Sequence, residues 1–366
     1  MTSYFGHLYI KIIMNKKIIS FIVIALLVFS QSLSAKGKPK NVIFIIGDGM
    51  GLAQIHSGMV VNGNKLEMEA FRHIGLVKTY SNSHFTTDSG AGGTALACGV
   101  KTNNGMIGMG PDSVAVESVL HLAEKKNLST GVVSACAVTH ATPASFVAHQ
   151  INRNMYEEIA ADFLNTDIDV FIGGGRNNFE KRVDQRNLSA ELKNKGYNVA
   201  YSAKEVKAVK SGKVAGLLYP EHTPAMPERG DYLPEMSMVA VDLLDDNKKG
   251  FFLMIEGSQI DWAGHDNDGN RVPLEVIDLD KTIGRVLDYA RRKGNTLVIV
   301  TADHETGGLT LPDGNLKNKT IKPAFSTKNH SGVMVPVFAF GPGAEEFTGF
   351  MENTDLKKKI SRLLKL

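Results

Sequence analysis

The chain has 366 residues, 43% of them apolar and 22% charged, a profile that excludes a disordered polymer and leaves room for a large buried core. Its 41 Lys and Arg against 38 Asp and Glu give a formal charge of only +3, too little for a protein that tracks nucleic-acid phosphates. Two cysteines exclude a disulfide scaffold and a four-cysteine zinc site, and 36 glycines without a three-residue period exclude collagen.

In chain order, the first signal is Lys16 and Lys17, an apolar run from Ile18 to Phe29 broken only by Ser20, and a small-residue exit at Ala35. This order predicts a cleavable secretory leader over residues 1–35, with Met1–Ile13 an upstream extension before the natural start at Met14. The run is shorter than the roughly 20 apolar residues that span a bilayer, so no stable membrane anchor is expected after cleavage. No cysteine stands at the exit for a lipid, and the mature chain, residues 36–366, is expected as one catalytic domain in the periplasm or outside the cell. Lys11, Lys16 and Lys17 are the only charged residues before Lys36, so the excess of three positive charges belongs to the leader. In an oxidising compartment Cys98 and Cys136 could pair, but their small, apolar surroundings equally suit buried free thiols.

Seven short runs rich in Val, Ile and Phe follow: 41–46, 75–80, 131–137, 169–172, 251–255, 296–301 and 336–340. Helix-period stretches lie between them at 114–126, 156–164, 234–244 and 274–293. Continuously apolar strands alternating with amphipathic helices predict an α/β fold, a mostly parallel central sheet flanked by helices on both faces. The Lys-rich stretch from Asn177 to Arg229 reads as a helical excursion over the surface.

Ligands of open α/β sheets gather beyond the carboxyl ends of the strands. Here those ends carry Asp48, then His140 and Thr142, then Glu256 with Asp261 and His265, then Asp303 and His304. One such acid could be a helix cap. Four strand ends with the same chemistry argue for a site. Asp261 and His265 are four apart, so on a helix they share one face and can grip one cation. Mixed carboxylate and imidazole donors suit zinc, and carboxylate with hydroxyl suits magnesium. Of the eleven histidines, His265, His304 and His330 have this context, whereas His7, His73, His84 and His121 read as surface or packing residues. Ser89, followed by small residues, is placed to open a helix, where amides and dipole favour an anion. A serine needs activation, and metal is the better candidate where the histidines are committed elsewhere.

Gly47-Asp48-Gly49-Met50-Gly51, Asp88-Ser89 through Cys98-Gly99, His140-Ala141-Thr142-Pro143-Ala144 and Asn152-Arg153-Asn154 occur in that order. Glu256-Gly257 with Asp261 and His265, Thr301-Ala302-Asp303-His304-Glu305-Thr306, and His330 before Gly341-Pro342 complete the series. Together they resemble the alkaline phosphatases over nearly the whole mature chain. The resemblance implies a metal-dependent phosphomonoester hydrolase of broad specificity, with Ser89 as a nucleophile that becomes phosphoserine. It implies two zinc ions and one magnesium ion per chain. Asp48, Asp303 and His304 match the ligands of the zinc that activates the serine, and Asp261, His265 and His330 those of the second zinc. Asp48, Thr142 and Glu256 match the magnesium site, with Asp48 bridging. Arg153 matches the clamp on two phosphate oxygens, and Asp88 the acid that holds it.

The match departs from its best-known members in three places. His140 and Trp262 stand near the third metal, where a histidine could admit zinc or another ion, and Trp262 reads equally as packing. Only twenty-five residues separate His304 from His330, where larger members insert an interface subdomain, so a homodimer is allowed without being implied. Gly90, Gly92 and Gly93 after the nucleophile are expected to loosen the turn. A phosphodiesterase or sulfatase on the same fold is the nearest competitor. Ser89 followed by Gly90 and Ala91, rather than by Pro and Arg, argues against the sulfatases, and Arg153 favours a monoester with free oxygens. A non-catalytic metal or phosphate binder would need no nucleophile, and no basic cluster or aromatic platform supports nucleic-acid binding.

Overall fold

The computed structural model describes residues 37–366; the leader expected over residues 1–35 lies outside them. Its strands, in chain order, are β1 (Asn41–Gly47), β2 (His73–Lys78), β3 (Ser129–Ala137), β4 (Val170–Gly174), β5 (Asn198–Ala200), β6 (Val214–Leu217) and β7 (Phe251–Gly257). They continue with β8 (Thr296–Thr301), β9 (Glu305–Thr306), β10 (Leu309–Asn315), β11 (Thr320–Phe325), β12 (His330–Ser331), β13 (Val335–Phe340) and β14 (Gly349–Glu352). Ten of them form one sheet in the order β14-β2-β13-β8-β1-β7-β3-β4-β6-β5. Only β13 runs against its neighbours, β2 and β8; every other pairing in this sheet is parallel.

The central strands are apolar along most of their length because both their faces are covered. Every residue of β1, β7 and β8 is buried, and Ile43, Phe44, Ile45, Phe252, Leu253 and Val298 join one continuous core with the flanking helices. The long helix Arg271–Lys293 buries one stripe from Val272 to Ala290 and stops at Gly294, whose φ of 71° suits a left-handed C-cap.

Two expectations need correction. The segment Asn177–Arg229 is not a purely helical excursion: it contributes β5 and β6, which extend the sheet beyond β4. The stretch 114–126 is helical only from Val119, because Ser118 caps the helix by accepting from the His121 amide.

The return of the Asn177–Arg229 segment is anchored by a buried ion triad. Arg229 binds Glu275, and its Nη2 donates to Asp278 Oδ2 at 2.7 Å, with all three side chains about 1% exposed. Arg229→Ala would leave both carboxylates uncompensated, and a chemical-denaturation curve is expected to show a loss of about 3–5 kcal/mol.

Candidate active site

Four neighbouring strands, β8, β1, β7 and β3, deliver the polar residues singled out from the sequence. In register, Ile46 of β1 faces Glu256 of β7 on one side and Thr301 of β8 on the other, while Ser134 of β3 also pairs with Glu256. Asp48, Glu256, Asp303 and His140 therefore emerge at one edge. The turn after β1 requires glycine: Gly49 has φ +72°, and a Cβ there would lie 2.7 Å from the Asp261 backbone. That close approach seats Asp48 beside the helix Gln259–His265 that carries Asp261 and His265.

One donor set comprises Asp48, Asp303 and His304, all buried. His304 Nε2 stands 3.4 Å from Asp48 Oδ1 and 3.3 Å from Asp303 Oδ2. Ser89 Oγ lies 3.2 Å from the same nitrogen.

The other set is Asp261, His265 and His330, grouped as the i, i+4 spacing predicted. His265 Nδ1 is 2.5 Å from the Lys328 carbonyl oxygen, and His330 Nδ1 is 2.8 Å from the Thr87 carbonyl oxygen. A carbonyl only accepts, so both Nδ1 atoms carry a proton, and each Nε2 is left either to donate to Asp261 when protonated or to offer its lone pair to a cation. Those two Nε2 atoms face each other at 3.1 Å, with Asp261 Oδ1 3.4 and 3.5 Å away. With both Nε2 protons released, one carboxylate and two imidazoles converge here as ligands for a cation. The rings of His304 and His330 stack with centroids 3.5 Å apart, which brings the two sets together.

At a third position Thr142 Oγ1 donates to Asp48 Oδ2 at 3.1 Å, and Glu256 is fully buried nearby. Asp48 Oδ1, Asp303 Oδ2, Glu256 Oε1 and His140 Nδ1 are all buried without a hydrogen-bond partner. Buried polar atoms of this kind are costly unless something else satisfies them. These residues fit divalent cations.

The electrostatics make the same demand. Burial, then the charges of Asp303, Asp261 and Glu256, push Asp48 well above the usual carboxylate range. Burial pushes Asp303 up to about 8 and Glu256 up to about 7. Burial opposes ionisation of Asp261 too, but the hydrogen bond from His265 and the nearby histidine charges outweigh it and hold that carboxyl low. The same hydrogen bond raises His265 to about 9. Burial lowers His330, lowers His304 well below the ordinary histidine range and takes His140 down to about 3.

Ser89 is the first residue of the helix Ser89–Cys98, and Asp88 caps it by accepting from the Ala91 amide at 2.9 Å. The other Asp88 oxygen accepts from Arg153 Nη1 and from the Gly105 amide, both at 3.0 Å. The cap and the guanidinium are thus held by one carboxylate. The glycines after Ser89 do not loosen this turn; they permit close packing. A Cβ on Gly92 would sit 3.1 Å from Asp303 Cβ, and one on Gly93 2.8 Å from Ser145 Oγ.

A family model described as alkaline phosphatase matches residues 39–323 of this chain. The chain belongs to the alkaline phosphatase family. It is accordingly a metal-dependent phosphomonoester hydrolase. Alkaline phosphatase 4 of Bacillus subtilis is 33% identical, with 90% of each chain covered, and the alkaline phosphatase of Escherichia coli is 30% identical over 88% of this chain and 86% of its own. The solved alkaline phosphatase of the Antarctic bacterium TAB5 is 43% identical with a TM-score of 0.86, covering 90% of this chain and 99% of that one.

Two supports of this alkaline phosphatase site had escaped the sequence reading. Glu305 is buried at the strand β9, accepting from Ser331 Oγ, from Gln54 Nε2 at 2.6 Å and from the Leu309 amide at 3.0 Å. It ties β12, which carries His330, to β9 and to the helix Leu52–Val61. Glu305 adjoins the Asp303-His304 pair in sequence, but nothing marks Gln54. His222 meets Trp262 edge-on at 4.7 Å, and both approach His140, so Trp262 packs against these two histidines.

Proposed function

We propose that this chain is a broad-specificity phosphomonoesterase working through a phosphoserine on Ser89, with two zinc ions and one magnesium ion. The observation that carries the reading is the convergence of two carboxylate–imidazole donor sets and the Asp48–Thr142 contact beside a helix-opening serine and a guanidinium. Asp48, Asp303 and His304 would hold one zinc, Asp261, His265 and His330 the other, and Asp48, Thr142 and Glu256 the magnesium. Bound there, the cations supply Lewis-acid stabilisation of the negative charge on the attacking and leaving oxygens. Two variants of the TAB5 enzyme, in which a histidine is replaced by aspartate or glutamate, carry magnesium in a site called M3.

The protein's own groups do the positioning. Arg153, oriented by Asp88, offers two parallel N–H donors to the free oxygens of a phosphate monoester. The amides opening the helix Ser89–Cys98 face the same anion. Ser89 Oγ bonds to phosphorus as the alcohol leaves, and water then displaces phosphate from the serine. Two in-line displacements predict net retention in a chiral-phosphate assay; inversion would remove Ser89 as covalent nucleophile.

Arg153→Ala should raise KM for a nitrophenyl phosphate and Ki for inorganic phosphate by about 10- to 100-fold, the worth of charged hydrogen bonds. Arg153→Lys should recover only part of this, because an ammonium lacks the fork. Unchanged phosphate affinity in Arg153→Ala would reject the clamp. The expected setting is the periplasm or the extracellular medium, and among the described residues no helix is long and apolar enough to cross a membrane.

A further inference from the structure

The third-cation position holds two groups outside the set proposed above, Cys136 and His140. Cys136, the penultimate residue of β3, is fully buried, and its Sγ lies 3.4 Å from Glu256 Oε2. One donor atom each from Cys136, His140 and Glu256 falls within 4.8 Å of the others. Two of these side chains, both more than nine-tenths buried, carry an unpartnered polar atom: His140 Nδ1 and Glu256 Oε1. We propose that Cys136 and His140, with Glu256, let the third position take a soft divalent cation such as zinc or cadmium in place of the magnesium that Asp48, Thr142 and Glu256 alone would hold.

The donor chemistry decides the class of ion. Magnesium prefers oxygen ligands, near-octahedral geometry and several retained waters. One sulfur, one nitrogen and one carboxylate oxygen instead match a four-coordinate zinc-like ion. The surroundings disfavour a hydrated ion as well. His140 is flanked edge-on by Trp262, with centroids 5.8 Å apart, and by His222 at 5.6 Å. His222 is itself fixed, its Nδ1 accepting from the Ala137 amide at 3.1 Å. As the cation binds, the sulfur–metal bond replaces the S–H bond and the thiol proton leaves to solvent. The other thiol, Cys98, is buried in the helix Ser89–Cys98, where its Sγ faces the Ser145 carbonyl oxygen at 3.8 Å.

The inference rests on the reading of Glu256 as a third-cation ligand, and cadmium titration separates the two. Chelator-stripped full-length protein is titrated with Cd²⁺ while bound metal and the ultraviolet thiolate-to-cadmium charge-transfer band are followed. The expected result is a band that grows with the third equivalent and saturates at one thiolate per chain. It should persist in Cys98→Ser and vanish in Cys136→Ser. In Cys136→Ser the preference of the third site for Cd²⁺ over Mg²⁺ should fall at least about tenfold. A third equivalent bound without the band would overturn the sulfur ligand and leave the third-cation reading standing. Binding of only two equivalents would overturn both. The wild-type titration decides this even if a variant fails to fold.

Discussion

Ser89→Ala is expected to lower kcat toward a phosphate monoester by at least about 10³-fold, while melting temperature and bound metal stay near those of the parent. The substitution removes one oxygen from a residue whose helix is capped by Asp88 and packed through Gly92 and Gly93 against Asp303 and Ser145, none of which depends on the hydroxyl. It takes away the hydroxyl beside His304 Nε2, where Asp48 and Asp303 also converge. Arg153 keeps its hold on Asp88, so phosphate affinity should survive. Any residual turnover would have to use water directly, one displacement instead of two, and so invert at phosphorus. A kcat within tenfold of the parent, or residual turnover with retention, would remove Ser89 from the mechanism.

Much of this site was legible because a parallel strand buried on both faces leaves a simple mark. Val42–Ile46, Phe251–Ile255 and Leu297–Val300 are unbroken apolar runs, and the first acid beyond each, Asp48, Glu256 or Asp303, must be there for a reason other than burial. The spacing of Asp261 and His265 was enough to place both on one helix face. The grouping of His330 with them was not local: β12 pairs with β9 through Glu305, a long-range contact with no periodic signature. Strands β5 and β6 were hidden for the opposite reason. Asn198–Ala200 is three residues long and Val214–Leu217 four, too short to show a period amid lysines. The glycines after Ser89 misled because loss of a Cβ reads as looseness in a sequence, whereas here it allows backbone and side chains to approach. Cys136 was silent for the same kind of reason, since a ligand inside an apolar run looks like a packing residue.

Stripping the metal should make the protein's stability depend steeply on pH, in a direction set by the buried acids. Folding raises Asp48 well above its ordinary range, Asp303 to about 8 and Glu256 to about 7, in each case chiefly through burial. Such an acid binds its proton more tightly folded than unfolded. Its stabilising contribution is complete below the unfolded value, about 4, and is lost as pH rises through the folded one. His265, raised to about 9 by Asp261, acts in the same sense between about 6.5 and 9. Buried His140, His304 and His330 act oppositely, because their lowered folded values cost stability only as pH falls below about 6.5. Below about pH 6.5 these two sets oppose each other, and above it only the raised groups act, so the Tm of chelated protein should fall steadily from pH 6.5 toward pH 9. Restored Zn²⁺ and Mg²⁺ add a binding free energy to the folded state alone. They also ask the carboxylates to be ionised, so the metal-dependent rise in Tm should widen with pH as protons cease to compete. Parallel melting curves with and without chelator, at pH 6.5 and pH 9, give the comparison. A metal-dependent rise in Tm that is the same at both values would mean that Asp48, Asp303 and Glu256 are not the groups the cations neutralise.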